Sequence, residues 1–443
     1  MGKKRKATHF PRFLSSLGVA GAAVLLLVSF SLRQNTTSWP PLPQSVDVVV
    51  VGSGVAGAVA ALTAAQAGSD VFYLDLTGPF GTGFPAFSPA FWAAGTPPQQ
   101  DLMPAYTSEV MAQDVFSRGG GTGNKSQIYS LSHTSAESLA WLEEQSGVAF
   151  SVLANPSENP GLHLPALGEA QTFLPASLEA ALSPLLAGFS DTWRPKELLL
   201  TPAGIAGVVA ILPDGREIEI RSRAVVLADG GMAANLALLQ QYTGTTGVVP
   251  RPEGGHSGTG FLLAQAAGAR IRDINAVTLL TVFLPQGRRF LPELYPGAVR
   301  LDAAGERIPT GEEAVLKSQE GPVYIVLGEG QRENIPDFIA VDDMLTLASR
   351  LGVSAEKLAA SLHGLPAPYR VATLGTIALT PGGLEVDEQY RVLGPEGPLP
   401  GLYAAGELTA GLHGREAIPD LVLADEIISG RLAGAAAASY ARR

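Results

Sequence analysis

A chain of 443 residues, 46% hydrophobic and 16% charged, is long enough for two or three domains with a sizeable core and too apolar for a disordered polyelectrolyte. A net charge of −11 argues against the broad basic face that nucleic acid requires, so no nucleic-acid partner is expected. Cysteine is absent, which removes disulfides, thiolate nucleophiles and Cys-ligated metals together, and the six histidines show no paired zinc spacing. No metal site is expected. The 51 glycines and 33 prolines imply a loop-rich, mixed α/β chain.

At the amino end, the basic tail 1–12, with Lys3, Lys4, Arg5 and Lys6, precedes an uncharged stretch from Phe13 to Leu32. As a helix that stretch is about 30 Å long, the thickness of a bilayer core. The sequence therefore predicts a transmembrane helix over 13–32, with the tail cytoplasmic and the bulk of the chain outside. A cleaved signal, at the small-x-small pattern Ser29-Phe30-Ser31, would instead leave a secreted or periplasmic protein, and a buried helix is the third alternative. Residues 33–45 read as a linker rich in Pro, Ser, Thr and Asn.

The first folded element is a strand, the continuous β-branched run Val46–Val51, as in a parallel strand covered on both faces. Gly52-Ser53-Gly54-Val55-Ala56-Gly57 follows, then an alanine-rich helix predicted over Ala58–Ala67 and a second strand, Val71–Leu74. This is the dinucleotide fingerprint in its proper context. Gly52 allows the tight turn, Gly54 the approach of backbone to a diphosphate at the helix amino end, and Gly57 close packing of helix on strand. Asp75, ending the second strand, is placed to accept hydrogen bonds from ribose hydroxyls.

Later segments extend the pattern. Ser135–Phe150 (SAESLAWLEEQSGVAF) reads as an amphipathic helix entering a strand. RSRAVVLADGGMAANLALLQQY is followed by GGHSGTGFLLAQAAGARI, and near the end stands GGLEVDEQYRVLGPEGPLPGLYAAGELTAGLHGREAIPDLVLADEIISGRLAG. With the fingerprint, these blocks resemble the flavoprotein superfamily of fumarate reductase and succinate dehydrogenase flavoprotein subunits and 3-ketosteroid dehydrogenases. The resemblance implies a discontinuous Rossmann-like FAD-binding domain (46–241 and 371–443) with an inserted α+β capping domain for the substrate (242–370). It implies non-covalent FAD, bordered by Ala228, Gly230 and Gly231 on its adenosine half and by Gly406 and Glu407 at its ribitol chain. The turn ending at Gly95 would lie against the flavin, and a helix starting near Leu421 and Val422 would aim its amino end at the ring. NAD would need a second complete fingerprint, which the sequence lacks.

The family's catalytic motifs are altered. The slot of its substrate histidine holds Ala378, that of its clamp arginine Ala417, and that of its proton-donating arginine falls near Val315. A dicarboxylate would thus lack its cations. The remaining candidates are Tyr369, near a tyrosine of the ketosteroid dehydrogenases, His413 in the flavin-side turn, and Arg415, two residues from the vacated arginine slot. The expectation is an FAD-dependent oxidoreductase acting on a carbon–carbon bond of a small molecule beside an activating group, with an electron donor or acceptor as further partner. A catalytically silent, anchored FAD-binding module is the rival.

Overall fold

The computed structural model describes residues 45–52, 54–76, 90–152, 160–165, 169–251, 255–283, 297–308, 322–330 and 338–443. The expected membrane helix lies outside them, and among the described residues no helix is long and apolar enough to cross a membrane. The chain begins β1 (Ser45–Gly52), α1 (Val55–Gln66), β2 (Val71–Asp75), β3 (Phe91–Trp92), α2 (Pro97–Leu102), α3 (Ser108–Arg118), α4 (Lys125–Ser146), β4 (Phe150–Val152) and β5 (Leu162–Pro165). It continues α5 (Glu169–Leu182), β6 (Gly188–Ser190), β7 (Arg194–Thr201), β8 (Gly204–Ile211), β9 (Glu217–Ala228), α6 (Leu236–Thr243), α7 (Thr259–Ala266), β10 (Ile271–Arg272), β11 (Thr278–Phe283), β12 (Val299–Leu301) and β13 (Arg307–Ile308). The last elements are β14 (Val323–Leu327), β15 (Ile339–Val341), α8 (Met344–Leu351), α9 (Ala355–Ser361), β16 (Tyr369–Leu379), β17 (Gly383–Leu384), β18 (Arg391–Gly394), β19 (Gly397–Ala404) and α10 (Val422–Ala441).

The main sheet has the order β18-β19-β9-β1-β2-β6, with β7 and β8 joined to β9. Strands β19, β9, β1, β2 and β6 run parallel. Covered strands of such a sheet must be apolar on both faces, and Val48 to Val51 are all fully buried. Helix α1 starts at Val55 rather than Ala58, directly after Gly54 as its N-cap, so the last three fingerprint residues are already helical. Gly52 and Gly57 face each other across this turn. A Cβ on either would come within 3.0 Å of the other's Cα and 3.1–3.2 Å of the Tyr73 side chain.

Alanine content explains why α1 is buried nearly all round. The sheet covers one side and α10 the other, where a Cβ on Gly430 would sit 2.7 Å from the Ala56 carbonyl oxygen and one on Gly434 2.3 Å from that of Ala60. Glycine and alanine therefore let two helix backbones meet at a distance that larger side chains forbid.

A second, six-stranded sheet comprises β11-β16-β14-β12-β13 with β15 on β16, drawn entirely from 278–379. Helices α8 and α9 pack against one face of it through Leu347, Leu351, Leu358 and Leu362. The short strands β3, β5 and β4 form a separate antiparallel sheet.

Candidate cofactor and active site

Parallel strands deliver their carboxyl ends to one edge of the main sheet, where ligands bind in open α/β folds. In register, Gly52 stands beside both Ala228 and Asp75, and Leu227 beside Ala404. The Ala405 N–H then donates to the Leu227 carbonyl at 3.0 Å, carrying the Ala405-Gly406-Glu407 turn onto the same edge. Between these ends lies a narrow cleft lined by Gly54, Ala56, Ala228, Gly230, His256, Ala405, Gly406, Glu407 and Glu426. Most of its lining has no side chain beyond a methyl group, so backbone N–H groups are within reach of whatever occupies it.

The turn at Gly406 requires glycine. Its φ of +67° is left-handed, and a Cβ there would approach the Ala56 Cβ to 3.0 Å, closing the cleft from one side. Its N–H donates to Ser429 Oγ at 2.8 Å, which fixes the turn to α10. A helix amino end, a Gly-Ala floor and an acid, Asp75, at the neighbouring strand end together suit a dinucleotide. The residues present thus fit FAD.

Glu407 lines the cleft, but its carboxylate is engaged from behind. Oε1 accepts from the N–H and Oγ1 of Thr380 at 2.9 and 3.0 Å, and Oε2 pairs with Arg251 Nη1 at 2.5 Å. His256 Nδ1 lies 3.6 Å from the same oxygen. Burial opposes ionisation of this group. The Arg251 guanidinium, His256 and the Thr380 hydrogen bonds outweigh it and hold the carboxyl at about 2. Gly231 stands behind the cleft rather than in it: a Cβ there would fall 2.0 Å from Thr380 Oγ1.

Asp229, in the A-D-G-G segment, is wholly buried and works locally, its Oδ2 accepting from the Gly260 N–H at 3.0 Å and Ser257 Oγ at 3.4 Å. It thereby holds the start of α7 to the end of β9. Burial pushes its carboxyl up to about 6 against the opposing hydrogen bonds. A folded-state value above the ordinary 3.8 favours the neutral form, so this contribution to stability is present below about pH 4 and lost as pH rises through 6. Asp229→Asn, which keeps an acceptor, should stabilise the chain by on the order of 1–3 kcal/mol above pH 6 and little at pH 4. Thermal melts at the two pH values test this, and equal shifts at both would refute it.

The three catalytic candidates separate. Tyr369 is not among the residues lining the cleft; its ring belongs to the core of the second sheet with Val341, Leu358 and Val371, and its hydroxyl donates to the Leu365 carbonyl at 3.4 Å. Arg415 is committed to Asp273 at 2.6 Å and Asn275 at 3.1 Å, with its N–H on Thr122 Oγ1. His413 is buried; Nδ1 accepts from the Ile418 N–H at 3.1 Å, which puts the neutral ring's proton on Nε2, 3.4 Å from Asp425 Oδ2. It clamps the turn leading into α10.

That turn, Pro419–Leu421, ends at Val422, the first residue of α10, and both Leu421 and Val422 are buried. Strand β3 packs against the same turn, and Gly95 follows it with φ +80° and its N–H donating to Gln99 Oε1 at 2.6 Å. Ala417 and Val422 form one apolar cluster with Leu280, Ile377 and Leu379, while Ala378 packs with Met232, Leu238 and Leu239. The sequence reading missed Arg251, Thr380 and Asp425. Nothing in VVPRPEGGH marks its arginine, because the partner is 156 positions away.

Comparison with known proteins agrees with this geometry. NADH:fumarate oxidoreductase of Klebsiella pneumoniae is 26% identical over 96% of this chain, although the chain spans only 51% of that protein's length. Fumarate reductase (cytochrome) of Shewanella frigidimarina is 24% identical over 90% of this chain and 78% of that protein. Among solved structures, the open conformation of a flavocytochrome c3 fumarate reductase superposes with TM-score 0.74 at 22% identity, covering 100% of this chain and 83% of the other. The 3-ketosteroid-Δ4-(5α)-dehydrogenase of Rhodococcus jostii, solved with 4-androstene-3,17-dione, gives TM-score 0.65 at 23% identity, covering 91% and 99%. Residues 47–419 match the family model described as FAD binding domain, and the chain belongs to that family of FAD-binding flavoproteins.

Proposed function

We propose that this chain is an FAD-dependent oxidoreductase that moves hydride to or from a carbon–carbon bond beside an activating group, in a small molecule that is neutral and largely apolar. The observation that carries the reading is the cluster Leu280, Ile377, Leu379, Ala417 and Val422 at the start of α10. In the family resemblance this is flavin-side ground where fumarate reductases keep cations. A dicarboxylate brought there would lose its hydration and receive no charge in return. The Rhodococcus neighbour, crystallised with a steroid dione, supports an apolar substrate; the fumarate-reducing relatives support the reaction type.

When bound, FAD supplies the hydride chemistry through its flavin ring. The chain's own residues bind and orient. The amino end of α1 would offer N–H groups to the diphosphate, and the dipole of α10 would favour negative charge on a flavin held near its amino end. His413 and Arg415 are positioning residues that brace the turn entering α10 through Asp425 and Asp273. The reading includes a capping domain over 242–370, an electron donor or acceptor as second partner, and the 13–32 helix as a membrane anchor that leaves the bulk of the chain extracytoplasmic.

The test uses full-length protein loaded with FAD and reduced chemically without oxygen. An apolar cyclic enone should reoxidise the flavin at least about tenfold faster than fumarate. Fumarate turning over as fast as the enone would overturn the proposed substrate class. Flavin inert to every donor and acceptor would favour the silent binding module.

A further inference from the structure

Among the described residues that line the cofactor cleft, six are glycine or alanine, two are glutamates, and His256 is the one aromatic ring. This residue is 4% exposed and has a φ of +52°, the left-handed region that a side chain with a Cβ enters only at a steric cost. The surrounding backbone imposes that conformation. The His256 N–H donates to the Asp229 carbonyl at 2.7 Å, and its own carbonyl accepts from the Ala234 N–H at 3.0 Å, so both faces of its peptide are tied to the loop after β9.

The ring is placed as firmly as the backbone. Nδ1 accepts from the Gly231 N–H at 3.1 Å, which assigns the proton of the neutral imidazole to Nε2. Beneath it lies Gly230, where a Cβ would fall 2.5 Å from Nδ1. Glycine at 230 and histidine at 256 are therefore a matched pair, the one making room for the other. Left-handed backbone on a non-glycine residue persists where the structure over-determines it, and it concentrates at ligand clamps. If packing alone were required, glycine or asparagine at 256 would fill the backbone role more cheaply.

We propose that His256 is a cofactor-binding residue, whose imidazole forms one wall of the FAD cleft and holds the oxygen atoms of the dinucleotide. The proposal rests on the reading of the cleft as the FAD site and adds a residue to it. The ring brings a planar N–H donor to a lining whose other polar side chains, Glu407 and Glu426, are carboxylates that can only accept when ionised. Its placement against Gly230, Gly231 and Glu407 ties recognition of the cofactor to the two turns that form the sheet edge.

The experiment compares full-length wild type, His256→Gly and His256→Asn, each stripped of flavin and titrated with FAD by fluorescence, with a melting curve of the flavin-free protein beside each. Both substitutions accept left-handed backbone, so the flavin-free melts should stay near wild type. Both remove the ring, and FAD affinity should fall about tenfold or more. Either variant, folded and binding FAD within about twofold of wild type, would overturn the proposal. Should one variant fail to fold, the other decides. A wild-type chain that takes up no FAD would remove the FAD reading itself, an outcome distinct because the unsubstituted protein is then the one that fails.

Discussion

Arg251→Ala should destabilise the folded chain by about 3–5 kcal/mol, the largest stability effect anticipated for a single substitution at this site. The Arg251 side chain has no exposed surface and Glu407 retains 9%, so removing the guanidinium leaves a largely buried carboxylate without its counter-ion. Glu407→Gln on that background should restore most of the loss, since an amide can keep the Thr380 contacts without needing a counter-ion. The pH dependence follows the same logic. Glu407 is held at about 2 against an ordinary 4.5, so the stability it lends is present above about pH 4.5 and is lost as pH falls toward 2. In Arg251→Ala that acid-side loss should shrink. Denaturant titrations of the two single variants and the double variant measure the coupling, and additive effects would show that the pair is not a unit.

Gly406→Val should reduce FAD affinity by about a hundredfold or more while leaving a folded protein. Valine is among the residues least able to adopt φ +67°, and its first carbon would already lie 3.0 Å from the Ala56 Cβ, with its two methyl groups beyond that in the cleft. Gly68→Val is the control. Gly68 also has left-handed backbone, φ +86°, but a Cβ there meets nothing within 4 Å. The control should show the conformational cost in its melting temperature and bind FAD normally. Equal FAD affinity in the two variants would mean that the Gly406 turn does not border the cofactor.

Local chemistry wrote the parts of this fold that were legible in the sequence. The β1-α1-β2 unit follows from a change of hydrophobic period around three glycines, and the Ala-Ala-Gly-Glu turn and terminal helix follow from another glycine-rich break. Vacant catalytic slots were legible too, because an alanine cannot hide a cation. Pairings across the fold were not. Arg415 looked available for substrate until folding placed Asp273, 142 positions away, against it. Tyr369 carried a phenol that suggested proton transfer, yet β16 turns it into the core beneath α8 and α9, a choice made by strand register that neighbouring residues do not encode. His413 sat in the right turn, but its work is set by Ile418 and Asp425, which hold both ring nitrogens.

The contact of Gly430 and Gly434 on Ala56 and Ala60 has a consequence for biogenesis. Ala56 floors the cleft, and the helix that presses on it is synthesised last of all the described elements. A ribosome-bound chain can complete the first strand–helix unit early and still own no flavin pocket. Cofactor capture must therefore wait until this helix has packed onto Ala56 and Ala60, and a product truncated before it would emerge colourless.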